Sequence, residues 1–279
     1  MKESLPEQTD MNLLVRELAI HLRATAPHGI PENWFHPGKK YAEKSPRPAE
    51  ALLSEEPDAQ LRHEAAVPCS SAASELESLG LEELRQLALG CTKCRLCETR
   101  NKVVFGVGKT QTPRIVFVGE GPGADEDRKG EPFVGRAGEL LTKAITQGMG
   151  LRREDVYICN VVKCRPPENR TPLPDEVLAC TPYLYRQLEL LRPEVIITLG
   201  SPAQQALSGI NQGITKIRGR WLLWRGIKLM PTFHPAYLLR SPAAKKDFWL
   251  DLQEVMKELG MNPPAQKGKS EGKREGKTS

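Results

Sequence analysis

Ile115-Val116-Phe117-Val118-Gly119-Glu120-Gly121-Pro122-Gly123 is the stretch that decides the fold, because a short run of β-branched and aromatic residues ends abruptly in a glycine-rich turn. A second stretch has the same form: Leu229 to Phe233 runs into His234-Pro235-Ala236-Tyr237. If both runs are parallel strands of one sheet, both turns open at its carboxyl edge, where open α/β folds place their ligand sites. The Glu120 carboxylate and the His234 imidazole then face one pocket.

Working outward, the patterning predicts a helix (Leu81 to Leu89), a cysteine turn, a strand (Arg114 to Val118), a helix (Gly135 to Gln147) and a strand (Val156 to Val161). A helix (Asp175 to Leu191), a strand (Val195 to Leu199), a helix (Pro202 to Leu207), a strand (Ile227 to Pro231) and a last helix (Pro242 to Leu259) follow. Strands alternating with helices predict an α/β domain with a parallel sheet covered on both faces. It occupies residues 76–262.

The flanks read differently. Leu14, Leu18 and Leu22 recur every four residues among charged ones, which predicts a short amphipathic helix. From Ala26 to about Ser74 the chain is rich in Pro, Glu, Ser and Ala without sustained period, the composition of a flexible linker. Residues 1–75 are therefore expected to be a helix plus linker, the helix being a candidate docking element. Residues 263–279 are expected to be a disordered basic tail.

Charge is uneven along the chain. The net is +5, yet residues 1–75 hold 8 Lys and Arg against 12 Asp and Glu, and residues 264–279 hold 5 against 2, so the middle segment carries +6. A basic core suits a polyanionic partner. No run approaches the roughly 18 apolar residues of a membrane span, and Met1-Lys2-Glu3-Ser4 opens no secretory signal, so a cytoplasmic protein without membrane contact is expected.

Seven cysteines in such a chain read as metal ligands or free thiols rather than disulfides. Cys91 and Cys94 form a close pair, and Cys164 and Cys180 can complete four ligands. Thiolate count alone leaves zinc and a cubane iron-sulfur cluster both open. Gly119, Gly121 and Ala124 also fit a dinucleotide fingerprint, but Asp125, Glu126 and Asp127 follow at once and would repel a pyrophosphate. The glycines instead let a flat ligand approach the backbone, with Phe133 as stacking face and Asn160, at a strand end, as reader of a ring edge.

Five separated runs carry a family resemblance: Cys91-Thr92-Lys93-Cys94-Arg95-Leu96, Phe117 to Gly123, Gly130-Glu131-Pro132-Phe133-Val134-Gly135-Arg136-Ala137-Gly138, Asn160 to Arg170, and Phe233 to Arg240. In that order they resemble the family 4 uracil-DNA glycosylases. The resemblance implies a three-layer α/β/α sandwich with a central parallel sheet, a [4Fe-4S] cluster on Cys91, Cys94, Cys164 and Cys180, and monofunctional hydrolysis of the uracil N-glycosidic bond in base excision repair. It also places Asn169 as a further pocket residue and leaves Gly121, beside the base, without a functional group. Many members carry alanine at that position.

On this reading uracil is extruded from single- or double-stranded DNA into the pocket, because a stacked base is out of reach of any side chain. Phe133 stacks on it, Asn160 bonds its O4 and N3–H edge, and His234 stabilises the negative charge that develops near O2. Glu120 and Glu126 are the candidates for positioning water or the sugar cation. Arg136, Lys163, Arg165, Arg170 and Arg240 are expected to hold phosphates. Leu238 or Leu239 is expected to fill the vacated stack. The enzyme is expected to act as a monomer, with the N-terminal helix as a candidate docking element for a repair or replication partner.

Overall fold

The computed structural model describes residues 76–262. The segments expected at 1–75 and 263–279 lie outside the described residues. Among the described residues no helix is long and apolar enough to cross a membrane.

The elements follow in the order α1 (Leu81–Leu89), β1 (Val107–Gly108), β2 (Ile115–Gly119), α2 (Ala124–Lys129), α3 (Arg136–Lys143), β3 (Tyr157–Asn160), α4 (Pro174–Leu191), β4 (Val195–Leu199), α5 (Ser201–Ser208), α6 (Ile214–Ile217), β5 (Leu222–Trp224), β6 (Ile227–Thr232), α7 (Pro235–Arg240) and α8 (Lys245–Glu258). The strands form one sheet in the order β1-β3-β2-β4-β6-β5. Its four inner strands are parallel, with Phe117 opposite both Ile158 and Ile197. The outer strands β1 and β5 run antiparallel to their neighbours, so the whole sheet is mixed around the expected parallel centre.

Alternation along β2 shows why the sheet needs two covers. Val116 and Val118 pack on one face with Leu84 and Ala88 of α1, Leu184 and Leu188 of α4, and Ala203 of α5. Ile115 and Phe117 pack on the other with Leu141 of α3 and Phe248, Leu252 and Val255 of α8. Successive side chains point to opposite faces, so an all-apolar strand is stable only between two helical layers. Burying Phe117 completely is worth about 2 to 3 kcal/mol against leaving it in water.

Two helices replace expected loops. Glu126 caps α2 by accepting the Gly123 N–H at 3.1 Å, and Gly130 ends that helix in the left-handed region at φ 86°. Pro235 opens α7, where its missing N–H costs nothing, and the His234 side chain is the cap. The helix from Arg136 ends at Lys143 and continues as a π turn over Ala144–Gly148. Strands β1 and β5, of two and three residues, were too short for an alternation to register in the sequence.

The chain goes from β2 outward to β3, then crosses back over β2 to β4. Connections on either side of β2 therefore diverge, and a crevice opens beyond the carboxyl ends of the inner strands.

Candidate active site

That crevice is a cavity of about 470 Å³. Glu120 to Gly123 enter it from the end of β2, Glu126 from α2, and Phe133 from the turn before α3. Asn160 comes from the end of β3, Asn169 to Pro172 from the loop that follows, and His234, Tyr237 and Arg240 from the end of β6 and α7. Glu120, Glu126, Gly121, Phe133, Asn160, Asn169 and His234 are thus brought into one cavity, although His234 lies 74 positions beyond Asn160 in the chain.

The floor is built at the last residue of β2. Gly119 pairs in register with Asn160, and a Cβ on Gly119 would stand 2.4 Å from Asn160 Oδ1 and 2.6 Å from the Phe133 ring. Only glycine lets those two side chains meet over the strand end. Asn160 is 1% exposed, and its Oδ1 is buried without a hydrogen-bond partner. An unmade bond of this kind costs about 1 to 3 kcal/mol in a folded protein. A ligand that donates there recovers it.

The Phe133 and His234 rings lie 5.5 Å apart between centroids and 34° from coplanar. Burial pushes the His234 imidazole down to about 4, with the nearby Arg240 cation adding to the effect and Glu126 opposing it. The ring is therefore neutral near pH 7. Its Nδ1 accepts the Ala236 N–H at 3.1 Å, which assigns the proton to Nε2. The cavity consequently holds a neutral donor imidazole that needs no carboxylate partner.

The two candidate carboxylates differ in their surroundings. Glu126 Oε2 accepts the Gly123 N–H, while Oε1 accepts those of Val134 at 2.9 Å and Gly135 at 3.0 Å. Both of its oxygens are spent on backbone. Glu120 is pushed above the usual carboxylate range by burial, with the Thr171 hydroxyl working against that shift. It keeps acceptor capacity toward the cavity.

Several expected phosphate contacts stand elsewhere. Lys163 is 2% exposed, and its Nζ donates to the Asn160 carbonyl at 2.8 Å and to Gln187 Oε1 at 2.5 Å, so it cannot meet DNA from inside the core. Arg170 lines the cavity but is clamped on the buried Glu176 through two bonds of 2.8 and 2.6 Å. Arg165 Nε donates to Asn169 Oδ1 at 2.8 Å, outside the cavity lining. Arg136 is exposed at the first turn of α3, and Arg240 lies in the cavity wall. Leu238 is core at 1% exposure, whereas Leu239 is 39% exposed, which leaves Leu239 as the one of the two able to meet a stack.

Sequence reasoning missed Thr171, Tyr237 and the proline pair Pro166 and Pro172 as lining residues. Tyr237 had a signal, being two residues after Pro235 in the stretch quoted above. The others sit in a loop whose path depends on the Arg170–Glu176 clamp.

A sequence profile of the uracil DNA glycosylase superfamily matches residues 105–253. The chain belongs to that superfamily. Within it, the chain is 56% identical over 153 residues to the type-4 uracil-DNA glycosylase of Thermotoga maritima, covering 54% of this chain and 79% of that protein. It is 42% identical over 191 residues to the type-4 uracil-DNA glycosylase of Sulfurisphaera tokodaii, covering 66% and 86%. A type-5 uracil-DNA glycosylase of Pyrobaculum aerophilum is more distant, 32% identical over 141 residues, covering 45% and 62%. The type-4 branch of the uracil-DNA glycosylases is the one that this chain joins, and the matched segment contains β2, β3, β4 and β6, whose ends carry the cavity.

Proposed function

We propose that this uracil-DNA glycosylase reads an extruded uracil through Asn160 and Phe133 and releases it with His234 and Glu120, leaving an abasic site in base excision repair. The observation that carries the reading is the unpartnered Asn160 Oδ1 in the same cavity as a neutral His234. Uracil N3–H donates to that oxygen and O4 accepts from the amide nitrogen. Cytosine presents the opposite polarity on both atoms, so it leaves buried groups unpaired and is rejected.

As the C1′–N1 bond breaks, its electron pair leaves on uracil and positive charge develops on the sugar. The Nε2–H of His234 donates to O2 of the departing anion, an aimed dipole that requires no reorganisation. A water held by Glu120 adds its oxygen to C1′, and the released proton passes to the Glu120 carboxylate. A carboxylate whose proton affinity is raised by burial suits that task. Glu126 acts through the turn it holds. Glu126→Gln keeps the acceptor for Val134 and Gly135 and should lower uracil release less than about tenfold, the loss of one hydrogen bond of about 1 kcal/mol. Rates of alkali-induced strand breakage measure this.

Arg136 and Arg240 are the cations we assign to phosphates, on single- or double-stranded DNA, with Leu239 filling the stack. The reading further includes a cytoplasmic, monomeric enzyme. The experiment is direct: incubation with a uracil-containing oligonucleotide followed by alkali yields breaks at uracil. An intact oligonucleotide overturns the proposal in favour of a DNA-binding module without catalysis.

For the cofactor, the donor set is informative. Cys91, Cys94, Cys164 and Cys180 line one small cavity together with Arg100, Lys163 and Tyr183, and the set contains no imidazole or carboxylate. Soft ligands alone suit a [4Fe-4S] cluster. N–H donors already point at two sulfurs, Arg100 Nη1 at Cys164 Sγ and the Lys163 backbone N at Cys180 Sγ, each at 3.3 Å. A cluster there would staple the Cys91–Cys94 turn to α4, and we assign it no step of the reaction. Cys164→Ser should yield a paler protein with less iron and sulfide and a melting temperature lower by roughly 10 °C. Full iron content and unchanged melting would remove Cys164 from the ligand set.

A further inference from the structure

Phe133 holds its backbone at φ 53°, in the left-handed region that an aromatic residue adopts only where its surroundings over-determine it. Three residues do so. Arg153, in the turn before β3, donates through Nη2 to the carbonyls of Pro132 at 2.7 Å and Phe133 at 3.1 Å, and through Nη1 to the Thr142 hydroxyl of α3 at 2.9 Å. Glu126 takes the Val134 and Gly135 N–H groups from the opposite side. Gly138 leaves the space, since a Cβ on it would lie 1.9 Å from the Phe133 carbonyl oxygen.

The hydrogen bonds of Arg153 all go to neutral oxygens; the guanidinium is partly buried, and burial lowers its pKa against the pull of the nearby Glu131 and Glu126 carboxylates. A cation withdrawn from water onto the two carbonyls of one strained turn is placed where it fixes that turn, at a desolvation cost that surface ion pairs do not carry.

We propose that Arg153 is a positioning residue for uracil recognition, clamping the carbonyl side of the Pro132–Gly135 turn so that the Phe133 ring is presented to the extruded base. This rests on the reading of Phe133 as the stacking face. Preorganisation predicts a KM effect, because without the clamp the turn must be ordered anew each time a base enters.

The test is a double-mutant cycle in the full chain, with a single-stranded uracil oligonucleotide at varied concentration. Arg153→Met should raise KM about tenfold, the scale of one base–aromatic stack, with kcat changed far less. In a Phe133→Ala background the same substitution should change KM less than about twofold, because the ring it served is gone. Losses that multiply across the two sites overturn the inference and leave the stacking role of Phe133 standing. A Phe133→Ala chain with unchanged KM overturns the pocket reading itself. Should Arg153→Met not fold, Arg153→Lys carries the cycle: a lysine reaches one carbonyl, so KM should rise about threefold with Phe133 present and stay level without it. Equal ratios in both backgrounds defeat the proposal.

Discussion

Replacement of His234 by alanine should lower the rate of uracil release by about 100- to 1,000-fold, the cost of losing one preorganised donor aimed at developing charge. DNA affinity should change little, because the arginines proposed to hold phosphates, Arg136 and Arg240, stay in place. Single-turnover assays separate the two, and unchanged turnover would remove His234 from the mechanism. The substitution also deletes the cap on α7, since Nδ1 holds the Ala236 N–H, which costs about 1 kcal/mol of stability.

The same histidine gives a pH signature. Its folded pKa of about 4 lies below the ordinary 6.5, so as pH falls the unfolded chain takes the proton first. Stability contributed by the neutral ring is complete above pH 6.5 and is lost as pH falls toward 4, a total of about 3 kcal/mol. Denaturant titrations should find that slope in the wild type and a shallower one in His234→Ala. Turnover should show no step from this residue between about pH 5 and 8. A step near 6.5 that vanishes in His234→Ala would contradict the neutral-donor mechanism.

Asn160→Asp should be the more damaging change for uracil, lowering kcat/KM by about 1,000-fold or more. The amide donor to O4 disappears, and a carboxylate 1% exposed would lie against the carbonyl dipoles of uracil. Burial drives such a carboxyl toward its protonated form. Protonated, it donates to cytosine N3 and accepts from the cytosine amino group, so weak release of cytosine should appear as release of uracil falls. Oligonucleotides with a single cytosine or uracil, cleaved by alkali after incubation, measure both. Wild-type uracil turnover in Asn160→Asp would show that the amide does not read the base.

Much of the site was legible because its members follow strands whose apolar runs are unmistakable. Glu120 stands one residue beyond β2, Asn160 ends β3, and His234 follows β6 by two positions, so a parallel inner sheet places all three at one edge. Phe133 was legible only as a ring beside glycines; its left-handed backbone left no mark in composition. The α7 cap had a signal in His234-Pro235, but six residues are too few to show a helical period.

Other members were misread for the reason that polar residues are assigned to water by default. Lys163 stands among basic residues of an apparently exposed loop, yet Gln187 of α4 and the Phe105 ring surround its ammonium group in the core. Arg170 was read as a free cation, but Glu176, six residues away and fully buried, holds it. The ranking of Glu120 over Glu126 likewise needed the backbone of Val134 and Gly135, which only folding brings to the Glu126 carboxylate.

Local pattern by itself determined the order of strands and helices, the carboxyl edge at which the motifs gather, and the family to which they point, because periodicity and turn chemistry act over a few neighbouring residues. The tertiary structure alone decided which charges are free, which carboxylate keeps an open oxygen, and that the imidazole is neutral. Those properties come from desolvation and from hydrogen bonds between groups tens of residues apart, and neither exists until the chain has closed around them.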